Sequence, residues 1–139
     1  MKLSKETEKI LYDRFGNDSI IALATCLDNI PSVRYVDAYY EDGAFYVLTY
    51  ALSEKMKSIG KNPLVAIAGD WFTAKADGVN LGFFGNEENQ AIADKMKRIF
   101  SNWIYNGHSD LLDENTVILK LRLTTGVLIS DSIRYDIEF

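Results

Sequence analysis

From Ser19 to Leu27 the chain carries an almost unbroken apolar run, Ile20-Ile21-Ala22-Leu23-Ala24-Thr25 at its centre. At strand length, such a run reads as a β-strand covered on both faces. After a turn at Asp28-Asn29-Ile30-Pro31, Ser32 to Tyr40 alternates. Ser32, Arg34, Val36, Ala38 and Tyr40 fall on one face, and Val33, Tyr35, Asp37 and Tyr39 on the other. Glu41-Asp42-Gly43 is a hairpin signal leading into the strand Ala44 to Tyr50, which completes an antiparallel meander. From Ser53 the spacing turns helical, with Met56 and Ile59 as a small apolar face. Gly60 and Asn62-Pro63 end this helix, because proline disfavours the helical conformation in the residue before it.

Leu64 to Ala68 begins another strand, predicted to continue through Trp71-Phe72-Thr73. Ala76-Asp77-Gly78 predicts a turn, and Val79 to Gly85 the returning strand. Asn86 is expected to cap the longest helix, with Glu87 and Glu88 at its positive end. Ile92, Met96, Ile99, Phe100, Trp103 and Ile104 recur at helical spacing, so this helix lies over the sheet until Asn106-Gly107 ends it. Asp110 to Asn115 reads as loop and Thr116 to Leu123 as strand. Thr125-Gly126 predicts a break before Val127 to Phe139, which turns near Asp131. At the start, Ser4 caps a helix that has Glu6 and Glu8 in its first turn and stops at Gly16. Its narrow stripe of Ile10, Leu11 and Phe15 predicts docking on something larger.

Strands in hairpin order with few, separated helices predict one antiparallel α+β or barrel domain over residues 1–139, and argue against a βαβ fold. At 139 residues the chain can bury a core without staples. The net charge of −5, with Lys and Arg interleaved among Asp and Glu, leaves no basic stripe and makes nucleic acid a poor partner. The one cysteine, Cys26, excludes an intrachain disulfide and a cysteine-based zinc site, and is expected to be a small buried hydrophobe. Met1-Lys2-Leu3-Ser4-Lys5-Glu6 shows no apolar signal region. No apolar run approaches the ~18 residues of a membrane span. A cytoplasmic protein is the expectation.

There is no G-x-G-x-x-G after a strand and no Walker loop. His108 is the only histidine, which excludes a multi-histidine metal site, and its place on a polar loop predicts a structural or surface role. No metal site is expected. The positive signal is the stretch from Val33 to Pro63. A phosphate is held by free N–H groups at a helix N-terminus, small hydroxyl donors and one or two cations. Ser53 and the first helical turn supply the former, and Thr49, Lys55 and Arg34 the rest. Taken alone, the same residues read first as an N-cap, solvated lysines and an exposed strand arginine, because S-x-K at a helix start is common.

The series A-T-x(7)-V-R-Y-V, D-G-x-F-Y-V-L-T-Y and S-E-K-M-K-S-I-G-K-N-P-L-V-A-I resembles the FMN-binding split β-barrel family, the pyridoxamine 5′-phosphate oxidase-like proteins. Leu81-Gly82, Phe100-x-x-Trp103, Asn106-Gly107-His108 and the closing Arg134-Tyr135-Asp136-Ile137-Glu138-Phe139 are similar to a small bacterial branch of that group. The resemblance spans nearly the whole chain. It implies a homodimer of six-stranded antiparallel split β-barrels with flanking helices and two FMN sites at the subunit interface. It places Arg34 and Lys55 on the phosphate, helped by Thr49 and Ser53. It sets the backbone of Tyr35, Val36 and Asp37 along the isoalloxazine edge, with Leu48 and Tyr50 flanking the cofactor. Trp71 falls near where such dimers reach the partner's flavin.

Where relatives often have a second basic residue this chain has Glu54, so phosphate binding is expected to lean on Arg34, Lys55 and Lys57. The C-terminal segment that binds substrate phosphate in true pyridoxamine phosphate oxidases is not recognisable, so vitamin B6 oxidation is not expected. The implied activity is a flavin-dependent oxidation or reduction of a small molecule, with the chemistry carried by the cofactor. No side chain stands out as acid or base. The alternative is a non-catalytic dimer holding flavin or haem as a redox or stress sensor.

Overall fold

Seven antiparallel strands joined mostly by tight turns form the body of the protein, described for residues 3–139 in a computed structural model. Met1 and Lys2, where the N-terminal reading begins, lie outside the described residues. In chain order the elements are α1 (Lys5–Phe15), β1 (Ser19–Leu27), β2 (Ile30–Glu41), β3 (Ala44–Tyr50), α2 (Glu54–Lys61), β4 (Leu64–Gly69) and β5 (Phe72–Phe83). A short 3-10 turn (Glu87–Asn89), α3 (Gln90–Ile99), β6 (Thr116–Ser130) and β7 (Ile133–Glu138) complete the chain. The strand order is β3-β2-β1-β4-β5-β6-β7, and β3 also pairs with β6. That extra pairing closes six strands into a barrel and leaves β7 as an addition outside it. The expected six-stranded barrel with flanking helices is therefore the fold.

The closure is uneven, and this matters for function. β2 pairs with β3 only from Tyr39↔Tyr46 to Glu41↔Ala44. Beyond this, β3 leaves β2 and runs along β6 to Tyr50↔Thr116. The barrel wall is thus split between the first two-thirds of β2 and the end of β3. α2 follows β3 and buries Met56 and Ile59 in the barrel core. At another end of the core, Phe15 of α1 meets Phe45 edge-on at 5.5 Å. The barrel interior is otherwise filled by residues such as Leu23, Tyr40, Phe72, Leu119 and Leu121. A second cluster forms outside the barrel, where Met96 and Phe100 from the α3 region cover Tyr39 and Ile118.

Several expectations need correction. Asp28 and Asn29, both with positive φ, form a two-residue turn, so Ile30 and Pro31 already belong to β2. Pro31 is tolerated because β2 lacks a second neighbour at that point. β4 ends at Gly69, and Asp70-Trp71 is the hairpin turn, with Trp71 at φ 50°. Asp77-Gly78 is no turn, since β5 runs straight through it. Gly78 is there for close approach: a Cβ would sit 2.8 Å from Ile59 Cγ2 of α2. Gly126 does not end a strand, because β6 is continuous; what marks the expected break is a register shift beside it, from Lys75↔Thr125 to Ala76↔Leu123. A Cβ on Gly126 would lie 3.0 Å from Phe72 and 3.1 Å from the Thr73 carbonyl. Both glycines mark packed surfaces rather than bends.

Asn86 caps only the 3-10 turn, and without a side-chain hydrogen bond. Asn89 precedes α3, and its side chain donates to the Leu81 and Phe83 carbonyls instead. α3 ends at Ile99, so at 10 residues it is slightly shorter than α1 with 11. Trp103 and Ile104 lie in the turns that follow. Cys26 is half-buried, not enclosed. Among the described residues, no helix is long and apolar enough to cross a membrane.

Candidate functional site: a cationic cradle at the barrel split

Cross-strand register decides which side chains meet at the split. Arg34 pairs with Leu23 of β1, so it extends the inward-facing row of Val36, Ala38 and Tyr40 past the edge of the core. On β3 the inward row is Phe45, Val47 and then Thr49. Arg34 and Thr49 therefore stand on opposite banks of the split, and α2 begins between them.

Lys55, in the first turn of α2, donates from Nζ to Thr49 Oγ1. Burial, and after it the nearby Arg34 guanidinium, lowers the Lys55 pKa. The two cations are thus close enough to repel. Burial also lowers the Arg34 pKa. The Arg34 Nη1 donates to Thr25 Oγ1 at 2.9 Å and to the Leu23 carbonyl at 3.2 Å. Among the described residues neither cation has a carboxylate within salt-bridge distance. Two half-buried positive charges side by side, held only by hydroxyl and carbonyl oxygens, form a place prepared for an anion.

Ser53 caps α2, its Oγ accepting from the Met56 N–H at 3.4 Å, and so orders the helix start beside Lys55. Glu54 does not enter the cradle. It is highly exposed and faces Lys57 at 3.8 Å, one helical turn along a different face from Lys55. Lys57 is drawn away with it. Of the other positions, Val36 packs on the barrel core, while Tyr35 is 80% exposed on the outer face. Leu48 leans on the second cluster and Tyr50 is exposed. Trp71 does not reach this cradle within one chain. It is 69% exposed at the β4–β5 hairpin tip, four residues past Ile67, which pairs with Leu23; that is roughly 13 Å along the strand. The structure thus gathers Arg34, Thr49, Ser53 and Lys55, and leaves Lys57 and Trp71 outside.

Two features were not legible as function in the sequence. Thr25 is 2% exposed, a lone hydroxyl in an apolar run, and its signal was sharing a face with Arg34 across the β1–β2 pair. The other is a carboxyl pair beside the outer face of β2. Burial, followed by a hydrogen bond and repulsion from Asp37, raises the Asp18 pKa to about 6, while Trp103 Nε1 donates to Asp18 Oδ2 at 2.9 Å.

A raised carboxyl pKa means the folded state holds this proton more tightly than the unfolded chain, whose aspartates titrate near ~3.9. Its stabilising contribution is complete below that value and is lost as pH rises through about 6. Asp18→Asn is therefore expected to match wild type in Tm near pH 4 and to melt higher than wild type at pH 7.5. Thermal melts across that range check it, and a variant that melts no higher at pH 7.5 would contradict it.

The outer sheet face carries a second kind of surface. A shallow groove of about 630 Å³ crosses it, floored by Ala22, Ala24, Ala66 and Ala68 of β1 and β4. Beside it Val33 and Tyr35 of β2 are 69% and 80% exposed. A contiguous small-residue floor with apolar side chains around it is uncommon on a surface that faces only water.

No protein-family model and no curated protein sequence matches the chain. Solved structures do. A candidate pyridoxamine 5′-phosphate oxidase from Listeria innocua superposes with a TM-score of 0.64 at 14% identity, covering 85% of this chain and 90% of that one. An FAD-binding protein from Mesorhizobium loti gives 0.65 at 16% identity, covering 89% and 92%. The haem storage protein HutZ from Vibrio cholerae gives 0.64 at 18% identity, covering 88% and 91%. The fold is that of the pyridoxamine 5′-phosphate oxidase-like split barrels, as the collinear sequence motifs implied. The similar structures include flavin and haem binders, so fold alone does not choose the ligand.

Proposed function

We propose that this protein is an FMN-binding flavoprotein, a homodimer with two cofactor sites at its interface, acting as an oxidoreductase on a small molecule. The observation that carries the reading is the uncompensated pair of cations. Arg34 and Lys55 lie beside the capped start of α2, with no carboxylate among the described residues neutralising either. That donor set suits a phosphate monoester, which near pH 7 carries about −1.5 to −2 charges. In this reading Arg34 and Lys55 hold the phosphate, Thr49 holds Lys55, and Ser53 orders the helix start. The backbone of Tyr35, Val36 and Asp37 lines the ring, and Leu48 and Tyr50 flank it. Trp71 reaches the site only from the partner subunit.

When bound, FMN supplies two-electron transfer at its ring, and the protein's contribution is binding, orientation and exclusion of water. The homodimer rests on the alanine-floored face of β1 and β4, with Val33 of β2, next to the cradle's Arg34 in sequence, at its side. FMN is favoured over haem because the cradle is cationic and split-facing, whereas His108 sits on an exposed loop.

Titrating the purified protein with FMN, followed by flavin fluorescence and absorbance, tests the reading. Saturable binding at one FMN per chain is expected, followed by bleaching of the bound flavin on mixing with NADH or NADPH. Failure to take up FMN at high excess would sink the flavin reading. Uptake without bleaching by either nicotinamide would leave a passive binder.

A further inference from the structure

We infer that Thr25 is the positioning residue of the anion cradle, setting Arg34 while leaving its charge free for the ligand. This rests on the anion-binding reading above. Arg34 is a long side chain at the open edge of a barrel, and an unheld arginine there would lose much of its rotamer freedom on meeting a ligand. Thr25 removes that cost in advance. Its hydroxyl accepts from Arg34 Nη1 at 2.9 Å, and the Leu23 carbonyl accepts from the same nitrogen at 3.2 Å. These bonds occupy one of the guanidinium nitrogens and leave the others to the split.

The chemistry of the holder is as telling as its position. The usual partner for a half-buried arginine is a carboxylate, which would fix it and neutralise it together. Here the partner is a neutral hydroxyl. The same arrangement occurs on the opposite bank, where Thr49 Oγ1 accepts from Lys55. Thr25 is buried in the barrel wall at 2% exposure, so it acts through Arg34 and not by touching the ligand.

Thr25→Val keeps the shape and removes the acceptor, Thr25→Ser keeps the acceptor, and wild type is the reference. Affinities for FMN and riboflavin separate the phosphate contribution from that of the ring, because riboflavin lacks the phosphate. The expectation is that Thr25→Val weakens FMN about tenfold, leaves riboflavin unchanged, and that Thr25→Ser restores FMN affinity to within about threefold. Equal loss of FMN and riboflavin, or an unchanged FMN-to-riboflavin ratio in Thr25→Val, would overturn the assignment.

Inorganic phosphate binding, read from the Arg34 guanidinium nitrogen resonances, provides an arm independent of flavin. If wild type binds phosphate but not FMN, the flavin reading fails. The Thr25 assignment then stands only if Thr25→Val weakens phosphate binding and Thr25→Ser restores it. If wild type perturbs neither resonance nor ligand, both fall.

Discussion

Arg34→Ala is expected to weaken FMN binding by between about tenfold and about a hundredfold, and Lys55→Ala by a similar factor. A hydrogen bond to a charged group contributes roughly 1.5–3 kcal/mol, and each 1.4 kcal/mol is tenfold in affinity. Both residues belong in this range because both are held half-buried without a neutralising acid. Their desolvation has already been met by the fold, so the ligand gains most of the interaction. Lys57→Ala is the informative control on the same helix. Its ammonium faces Glu54 in solvent, so its removal is expected to change FMN affinity by less than about threefold. Lys5→Ala, on α1, is expected to do nothing. Equilibrium fluorescence titration distinguishes these outcomes, and indistinguishable affinities in all four variants would mean that the phosphate is bound elsewhere.

Ala66→Arg is expected to convert the proposed dimer into a folded monomer. Ala66 lies in the middle of the alanine floor, paired across β1–β4 with Ala24 and across β4–β5 with Lys75. A guanidinium there would be desolvated against a partner's alanine-rich face, a cost of several kcal/mol. In a monomer the same side chain reaches water freely, since the position is exposed. Sedimentation equilibrium should show a single-chain mass with the far-UV spectrum of wild type. If the proposed sites are completed at that interface, FMN affinity falls together with the dimer. A variant that stays dimeric would place the interface on another face.

The candidate site illustrates how far a motif reaches. Arg34, Thr49, Ser53 and Lys55 were legible because they are close in sequence and attached to elements whose faces follow from simple alternation and helix capping. Glu54, which in sequence stands inside the phosphate motif, is outside the cradle because one residue along a helix is a rotation of about 100°. Lys57 leaves with it, and Trp71 is removed to the hairpin tip because β4 ends two residues before it. Thr25 could not be assigned a role from spacing, since its partner is nine residues away across a turn.

Periodicity by itself determined that this chain is a run of antiparallel hairpins with an amphipathic helix laid over them, because burial of one face per strand is a local pattern. It also determined Arg34's face and the capped start of α2. Only the tertiary structure decided where strands end and which of them pair. Gly78 reads as a turn and Gly126 as a break in the sequence, yet each lies within a continuous strand, because what they provide is space for Ile59 and Phe72 to pack against the backbone. The split in the wall is likewise a product of tertiary pairing: β3 pairs with β6 along its whole length but with β2 only as far as Tyr46. Without that parting of β3 from β2, Arg34 and Lys55 would be two surface cations on neighbouring elements. With it they share one opening, where burial and then the Arg34 charge lower the Lys55 pKa, the basis of the proposed anion site.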